Sequence, residues 1–387
     1  MSETAPQPGR GALSLVCLDS IDDVSAEVWD GLVGHAYPFL RHAFLHALEA
    51  SGAASSRSGW VPYHLTLWQQ DRLVGAMPHY RKAHSYGEYV FDWAWADAWQ
   101  RAGGDYYPKG LSAIPFTPAP GPRLVLDPGV DPVEARQIMA EAWSSDDVSS
   151  WHLLFAEDRE IDTWRSACPQ LIERHGVQFQ WHDDAYGDFE GFLAALTSKR
   201  RKEIRRERRR VADQGLTLTR RVGNEITSAD LAHFYRCYQM TYLERGQQGY
   251  LNLDFFGRLL ATMPETLVLI QGWHASRPVA AALCFQGQDT LYGRYWGSEV
   301  EADCLHFEAC YYQGIEYCLA QGLSHFDPGT QGEHKLARGF APRRLRSLHY
   351  LADPGLRHAV ARFCAEERQY LVAYHQELSA SLPYKQH

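Results

Sequence analysis

The stretch TLYGRYWG, Thr290–Gly297, is followed by LHFEACYYQGIEYCLAQG, Leu305–Gly322, and then by SHFD, Ser324–Asp327. The first segment is rich in aromatic residues and alternates along its length, which predicts a strand. The second has helical spacing and stops at Gly322, a residue type that commonly closes a helix. The third is a short strand. Together they predict a strand, a helix and a second strand, with a glycine-rich loop leaving the sheet after Asp327.

The rest of the second half continues this succession of strands and helices. Strands are predicted at 216–221, 266–273 and 278–286, and helices at 189–214, 228–245, 253–262 and 354–378. This order is typical of a mixed sheet flanked by helices. The fold class is therefore α/β, in a mixed α+β arrangement.

The first half is a looser version of the same pattern. It has a predicted hairpin at 61–80, and residues 86–120 are expected to form short strands and long loops rather than helix. The length suggests two domains, and the composition changes abruptly at 182–188. We predict an N-terminal domain, a C-terminal domain and a C-terminal helical segment, at 12–184, 185–350 and 351–387.

The composition is that of a globular protein with a modest acidic charge. The formal charge is −9, from 47 acids against 38 lysines and arginines, so any contact with nucleic acid is expected to be local. The start of the chain lacks the apolar core of a signal peptide, and no apolar run approaches the ~18 residues of a spanning helix. The eight cysteines show no C-x-x-C spacing. We expect a cytoplasmic protein with reduced thiols and no membrane insertion.

The strongest local charge is the segment 197–210, which holds nine bases and two acids. On a helix its apolar stripe places Arg200 inward or into a cleft, with the other bases outward. Arg200 and Arg201 are therefore candidates for binding phosphate or an RNA backbone. The alternative is a solvated surface helix with glutamate–arginine pairs.

A second candidate group lies on the strand and helix quoted first. Alternation places Tyr292, Arg294 and Trp296 on one face of the strand. An arginine among aromatic residues is costly unless it meets an anion or lines a cavity, so these residues are candidates for substrate binding. On the helix, His306 and Glu308 are too close to share a face, so one is expected to reach the cleft while the other packs.

The loop after Asp327 is dense in polar groups. Ligands gather at the carboxyl ends of strands in open α/β sheets, and the loop candidates are Gln331, His334, Lys335 and Arg338. A metal site built from the histidines and acids of this segment fits no usual ligand spacing, so no metal is expected.

In the first half, Glu88 and Asp92 lie among aromatic residues. A carboxylate buried there would have a raised pKa and could act as a base. The alternative is a structural ion pair with Lys82 or Lys109.

These segments together resemble the FemAB-like acyltransferases. The matching stretches are HSYGEYVFDW (84–93), the glycines and prolines of 104–110 and 115–121, and residues 198–210, 291–297, 305–315 and 326–340. The resemblance implies tandem GNAT-like domains, each a mixed sheet flanked by helices. It also implies transfer of an amino acid from aminoacyl-tRNA to an amine of a peptidoglycan precursor.

The resemblance also implies residue roles. Lys335 or Arg338 would support the aminoacyl carbonyl, and Arg200 or Arg201 would meet the phosphates of the precursor. The family's Tyr-Pro-basic-Gly element is similar to Tyr107, Pro108, Lys109 and Gly110, which places Tyr107 and Lys109 among the substrate-binding candidates.

One departure concerns the donor. Acetyl-CoA-dependent GNAT enzymes place a glycine-rich turn before a helix, so that backbone amides hold the pyrophosphate. Here Glu299, Glu301 and Asp303 precede the helix and would repel it.

The expected function is amide formation by direct attack of an amine on an activated acyl carbon. A carboxylate or the substrate itself takes the proton, with Asp327, Glu308 and Glu88 as the candidate bases, and Lys335 or Arg338 steadies the oxyanion. The co-substrate is aminoacyl-tRNA or acyl-CoA, with no permanently bound cofactor, and the acceptor is a small-molecule or peptide amine. The alternatives are an acetyl-CoA-dependent N-acetyltransferase and a non-catalytic binder of RNA or cell-wall precursor.

Overall fold

The computed structural model describes residues 12–145, 148–244, 246–330 and 332–385, which form a mixed α/β fold. In chain order the strands are β1 (Leu13–Leu18), β2 (Trp60–Pro62), β3 (His64–Gln69), β4 (Arg72–Met77), β5 (Tyr80–Lys82), β6 (Lys109–Ser112), β7 (Val125–Leu126), β8 (Ser150–Leu153), β9 (Ile172–His182), β10 (Leu216–Val222), β11 (Leu267–His274), β12 (Arg277–Gln286), β13 (Thr290–Ser298), β14 (His325–Asp327) and β15 (Ala341–Leu351).

The helices alternate with these strands. They are α1 (Ala26–Val33), α2 (His42–Ala50), α3 (Trp93–Arg101), α4 (Pro132–Ser145), α5 (Asp158–Ala167), α6 (Phe189–Ala195), α7 (Ser198–Asp213), α8 (Ser228–Leu243), α9 (Leu253–Thr262), α10 (Leu305–Phe307), α11 (Gln313–Gln321) and α12 (Pro354–Ala380). A π-helical turn, Glu308–Tyr312, joins α10 to α11, and a 3-10 helix, Glu333–Arg338, lies after β14.

The strands form one small sheet and one large one. The small sheet has the order β1-β3-β4-β7, and the large sheet has eleven strands in the order β10-β11-β12-β13-β14-β9-β15-β8-β6-β5-β2. β9 pairs with β14 on one side and with β15 on the other, so the large sheet runs through both predicted domains. The division at 184 and 185 stays a prediction.

The centre of the large sheet is buried on both faces. In β11, Leu267 and Leu269 pack in the cluster that includes residues of α8 and α9. Val268 and Ile270 belong to the opposite cluster, with residues of α11. A strand covered on both faces reads as a continuous apolar run, and each fully buried side chain of this size contributes about 1.5–3 kcal/mol.

Three elements differ from the sequence prediction. Residues Trp93–Arg101 form helix α3 where loops and short strands were expected, because tryptophan and alanine alternate there in a pattern that also suits an amphipathic helix. The predicted helix 189–214 is broken, since Leu196 is extended and bridges to Tyr384 before Thr197 starts α7. Strand β15 was not predicted, since arginines interrupt its apolar pattern.

Within the described ranges, none of the helices is sufficiently long and apolar for it to cross a membrane.

Candidate active site

A fork between β13 and β14 borders a cavity that residues of both halves of the chain line. The two strands are parallel and pair only from Thr290 with His325 to Tyr292 with Asp327. β14 then ends, whereas β13 continues to Ser298. The edge of β13 beyond Tyr292 is therefore open, and a cavity of about 620 Å³ lies against it.

The cavity wall brings together three parts of the chain. One part is the fork and the loop after it, another is the helix that starts at Leu305, and the third is a set of aromatic residues from the first half, from the end of α8 and from the loop that follows α8. The wall includes Tyr89, Phe91, Tyr238, Tyr242, Tyr250, Arg294, Tyr295, Trp296, His306, Tyr311, Gly329, His334 and Lys335.

Arg294 lies at a bulge in β13. The pairing with β12 passes from Leu283 opposite Tyr295 to Cys284 opposite Gly293, so Arg294 is the extra residue. Its side chain is 2% exposed, and Nη2 donates to Oδ2 of Asp327 at 3.0 Å. The arginine therefore meets an anion, as predicted, but that anion is the last residue of β14.

The bulge changes which side chains share a face. Tyr292 packs on Tyr37 and Phe39, and Tyr295 packs in the same cluster, on Phe234 and Tyr238. Trp296 instead packs against His306 on the other side. The prediction that strict alternation places Tyr292 and Trp296 on one face is wrong, because one extra residue reverses the parity of the strand.

Lys335 is the buried cation of the loop. The residue is 2% exposed, and its Nζ donates to the carbonyl oxygen of Gly329 at 2.6 Å. The pKa of Lys335 is lowered to about 8, mainly by burial; the charge of Asp327 opposes the shift and that of Arg294 adds to it. An ammonium group with a single carbonyl partner retains donors for a ligand in the cavity.

Arg338 lies elsewhere. Its guanidinium stacks 3.4 Å from the centre of the Phe307 ring, Nη1 donates to the carbonyl oxygen of His334 at 2.7 Å, and Nη2 donates to Glu207 on α7 at 2.6 Å. Of the two bases that the sequence left as alternatives, Lys335 lines the cavity and Arg338 ties the loop to α7. Gln331, the other loop candidate, falls outside the described residues.

Two imidazoles face the cavity. Tyr311 OH and His334 Nε2 are 2.8 Å apart, and His306 packs beside Trp296, Tyr311 and His334. Burial lowers the pKa of His306 to about 4, and the pKa of His334 is also lowered, first by burial and then by the charge of Lys335. Both rings are therefore neutral near pH 7, and the low pKa of His306 makes that ring a weak proton acceptor. The expectation that one of His306 and Glu308 reaches the cleft while the other packs agrees with this geometry.

The three predicted bases are each held in an ion pair away from the open part of the cavity. Asp327 pairs with Arg294 and accepts the backbone N–H of Gly329 at 2.9 Å. Glu308 pairs with both Nε and Nη2 of Arg208, each at 3.0 Å. Glu88 pairs with Lys109 at 2.7 Å. Among the described lining residues there is no carboxylate, so the geometry does not support these acids as the proton acceptor.

Lys109 is the centre of a buried cluster in the first half. Its Nζ contacts Glu88, Asp92 and Ser85, and Ser85 Oγ lies 2.9 Å from Tyr107 OH. Burial raises the pKa of Glu88 to about 7 despite the lysine. Lys109 and Tyr107 do not line the cavity, but the loop that they anchor supplies Tyr89 and Phe91 to its wall. Glu88 and Lys109 therefore form the structural ion pair that was the alternative to a catalytic role for Glu88.

The basic helix α7 is oriented differently from the prediction. Arg200 is half-exposed and pairs with Glu203 of its own helix. The inward base is Arg208, which pairs with Glu308 and with Glu316 at 2.6 Å. Arg201 contacts Ser198 and does not reach the cavity. The predicted inward position of Arg200 is wrong: Ile204 and Val211 remain the buried stripe of α7, but Arg200 lies in the first turn of the helix, where its side chain stays partly exposed and pairs with Glu203.

One face of α7 presents bases to solvent. These residues are spaced by three and four positions, so they share a stripe along the helix. They are exposed, and no ion pair joins them to another described residue; they are Lys199, Lys202, Arg206 and Arg209.

The start of the helix at Leu305 opens on a second cavity of about 490 Å³. Its wall includes Glu301 and Asp303, and it shares Trp296 and His306 with the first cavity. Backbone amides at a helix start attract phosphate, but two carboxylates in the same wall oppose it. Two of the acids that the sequence placed before this helix, Glu301 and Asp303, therefore lie in the cavity wall.

Comparisons with known proteins identify the family of the chain. A family model whose description is peptidoglycan biosynthesis and recognition matches residues 20–386. The chain belongs to the FemAB-like family. Curated proteins give no match to it.

Several solved structures are similar in fold to the FemAB-like chain. The crystal structure of FemX is 11% identical with a TM-score of 0.53, over 87% of this chain and 98% of that one. The structure of L-PGS from Bacillus licheniformis is 10% identical with a TM-score of 0.50, over 85% and 97%. A tandem GNAT protein from the clavulanic acid biosynthesis pathway is 11% identical with a TM-score of 0.45, over 89% and 99%. The predicted fold, a mixed α/β protein with GNAT-like sheets, is confirmed.

Proposed function

We propose that this FemAB-like chain is an N-acyltransferase that forms an amide by moving an activated acyl or aminoacyl group to an amine. The observation that carries the proposal is the buried ammonium of Lys335 in the wall of the cavity at the fork of β13 and β14. A fixed donor in a site largely removed from water stabilises an oxyanion far better than the same group in solution. The family and the fold support acyl transfer as the chemistry.

In this mechanism the acceptor amine attacks the acyl carbon, the new C–N bond forms, and the bond to the leaving group breaks. Lys335 donates to the carbonyl oxygen as it gains negative charge. The amine proton passes to a neutral imidazole of the cavity wall, that of His334 or, as the weaker base, that of His306, and from there to the departing oxygen or sulfur of the donor. No covalent enzyme intermediate is required.

For the donor we favour aminoacyl-tRNA over acyl-CoA. The acids Glu301 and Asp303 oppose a diphosphate at the start of the helix, and the exposed stripe of α7 offers cations to a polyanion. The acceptor is then a small-molecule or peptide amine. A thermal-shift comparison decides between the donors, because a rise in melting temperature with acetyl-CoA, absent with uncharged tRNA, would favour the N-acetyltransferase alternative.

Turnover is tested directly by mass spectrometry. The chain is incubated with aminoacyl-tRNA or with acyl-CoA and a panel of amines, and the amide product is sought. Donor binding without any amide product would instead support the non-catalytic binding protein.

The α7 stripe predicts a salt-dependent donor affinity. Replacing both Lys202 and Arg206 with alanine should reduce the slope of log affinity for tRNA against log salt by about 2, one for each lost phosphate contact. Filter binding over a range of salt concentrations measures the slope. Arg258→Ala, an exposed arginine on α9, is the matched control and should leave the slope unchanged. An unchanged slope in the double variant would contradict tRNA binding at this stripe.

The pKa of Lys335 predicts an alkaline limit on activity. The ammonium is present below its pKa of about 8 and is lost above it, so kcat/KM should fall as the pH rises through this value. A free amine substrate becomes more nucleophilic over the same range, so it would give the opposite trend. The pH profile of kcat/KM with a saturating donor separates the two. A rate that rises steadily through this range would argue against a charged Lys335 in the reaction.

A further inference from the structure

A buried histidine and cysteine on α8 meet a glutamate at the end of β13. His233 and Cys237 are one helical turn apart and therefore lie on the same face of the helix. They are 2% and 0% exposed. Glu299 directly follows β13, and each of the three residues offers a ligand atom within 4.8 Å of the other two. Among the described residues, no other three side chains of the metal-binding types meet this closely.

The separation of the two α8 ligand atoms suits a shared metal ion as well as it suits a thiol–imidazole hydrogen bond. Cys237 Sγ and His233 Nε2 are 3.4 Å apart. Zinc–sulfur and zinc–nitrogen bonds of about 2.3 and 2.0 Å, meeting at the tetrahedral angle, would separate the two atoms by about 3.5 Å. The other nitrogen of His233, Nδ1, is buried and has no hydrogen-bond partner. The hydrogen bonds of the imidazole therefore leave Nε2 able to bind a metal.

One carboxylate oxygen of Glu299 has no close hydrogen-bond partner. Oε2 of Glu299 accepts from Arg277 at 2.8 Å, whereas Oε1 has only a long 3.4 Å contact to Arg236. Both arginines are largely exposed, at 71% and 61% of their side chains, so water screens their charge. Asp230, on the same helix, is engaged by Arg221.

The backbone holds the two elements in place without a metal. A side chain at Gly297 would collide with the carbonyl oxygen of Cys237, so only glycine allows α8 to approach β13 this closely. One turn further on, Thr241 Oγ1 donates to the carbonyl oxygen of Trp296 at 2.7 Å. The ligand-bearing turn of α8 is thus already fixed against the strand that carries Arg294 and Tyr295.

We propose that His233, Cys237 and Glu299 form a zinc site that clamps α8 to the end of β13. On binding, the Cys237 thiol gives its proton to solvent and its sulfur bonds the metal, while His233 binds as the neutral imidazole. Water completes the tetrahedron from the half-exposed side at Glu299. Cysteine, histidine and carboxylate are the ligand types of protein zinc sites. The site departs from the sequence expectation of no metal, and it does not depend on acyl transfer.

The test uses the full chain without a polyhistidine tag, loaded with Zn²⁺ or with Co²⁺ as a spectroscopic probe. We expect about one metal ion per chain by elemental analysis, a higher melting temperature with Zn²⁺, and a thiolate-to-cobalt charge-transfer band with Co²⁺. Cys237→Ser should abolish the band, whereas Cys364→Ser, another buried cysteine on α12, should keep it.

Glu299→Gln guards against a folding artefact, because Glu299 is at the surface side of the site. Its zinc affinity should fall by more than the roughly 10- to 100-fold that loss of a supporting partner around a metal site costs. Absence of the cobalt band in the native chain, or equal zinc affinity in the native, Cys237→Ser and Glu299→Gln proteins, would show that His233 and Cys237 form only a thiol–imidazole contact in the core.

Discussion

Replacing Lys335 with methionine is expected to lower kcat about 10²- to 10³-fold, the range found for loss of one oxyanion donor. Methionine keeps much of the volume and the apolar stem but removes the ammonium that lies in the cavity wall. Because burial disfavours the charged lysine and lowers its pKa, the variant should melt at the native temperature or above it. Loss of activity without loss of stability is typical of a side chain that contributes to catalysis rather than to folding.

Single-turnover rates with a saturating donor, together with a melting curve, check this prediction. Lys385→Met, which removes an exposed lysine, is the matched control and should match the native rate. Arg338→Met should instead lower the melting temperature, because Glu207 loses its partner. Native rates in Lys335→Met, or a loss of rate confined to Arg338→Met at unchanged stability, would assign the carbonyl contact to Arg338.

The second prediction with a large expected effect concerns the ion pair of Arg294 and Asp327 at the fork. Arg294→Met should lower the free energy of unfolding by about 3–5 kcal/mol, because it leaves the carboxylate of Asp327 buried without its cation. Both side chains are nearly inaccessible, at 2% and 5%. The same carboxylate holds the amide of Gly329 at the start of the loop, so the position of Lys335 should also loosen and activity should fall.

Urea unfolding of three variants separates the pair from general damage. The control is Arg258→Met, whose exposed partner Asp254 lies one turn away, and it should change the unfolding free energy by less than about 1 kcal/mol. Adding Asp327→Asn to Arg294→Met removes the orphaned charge and should restore much of the lost stability. A change in Arg294→Met no larger than in the control would mean that water reaches and solvates Asp327.

The anchoring cluster around Lys109 illustrates what the amino-acid types alone could predict. Two acids among aromatic residues suggested either a raised pKa or a pair with a nearby lysine. Both are present, since the pKa of Glu88 is raised to about 7 and Lys109 pairs with it. The sequence did not predict that the loop of Tyr89 and Phe91 lines the cavity formed by the second half, because the two are joined only through the folded sheet.

The sequence by itself determined the succession of strands and helices between Leu216 and Asp327, and the polar loop that follows Asp327. Periodicity, helix caps and glycine positions are local properties, so they can be seen within a window of a few turns. It also pointed to Lys335 or Arg338, since a base in the loop after a strand end is close to where ligands bind.

Only the tertiary structure decided which charged side chains form ion pairs and which remain available to a ligand. Arg208 and Glu308 are 100 positions apart, and whether a carboxylate is a base or a structural partner depends on the group that folding brings beside it. The bulge at Arg294 and the junction of β9 with β14 and β15 are likewise set by pairing between distant segments. Contacts of this kind follow from burial of the whole sheet, and no local pattern encodes them.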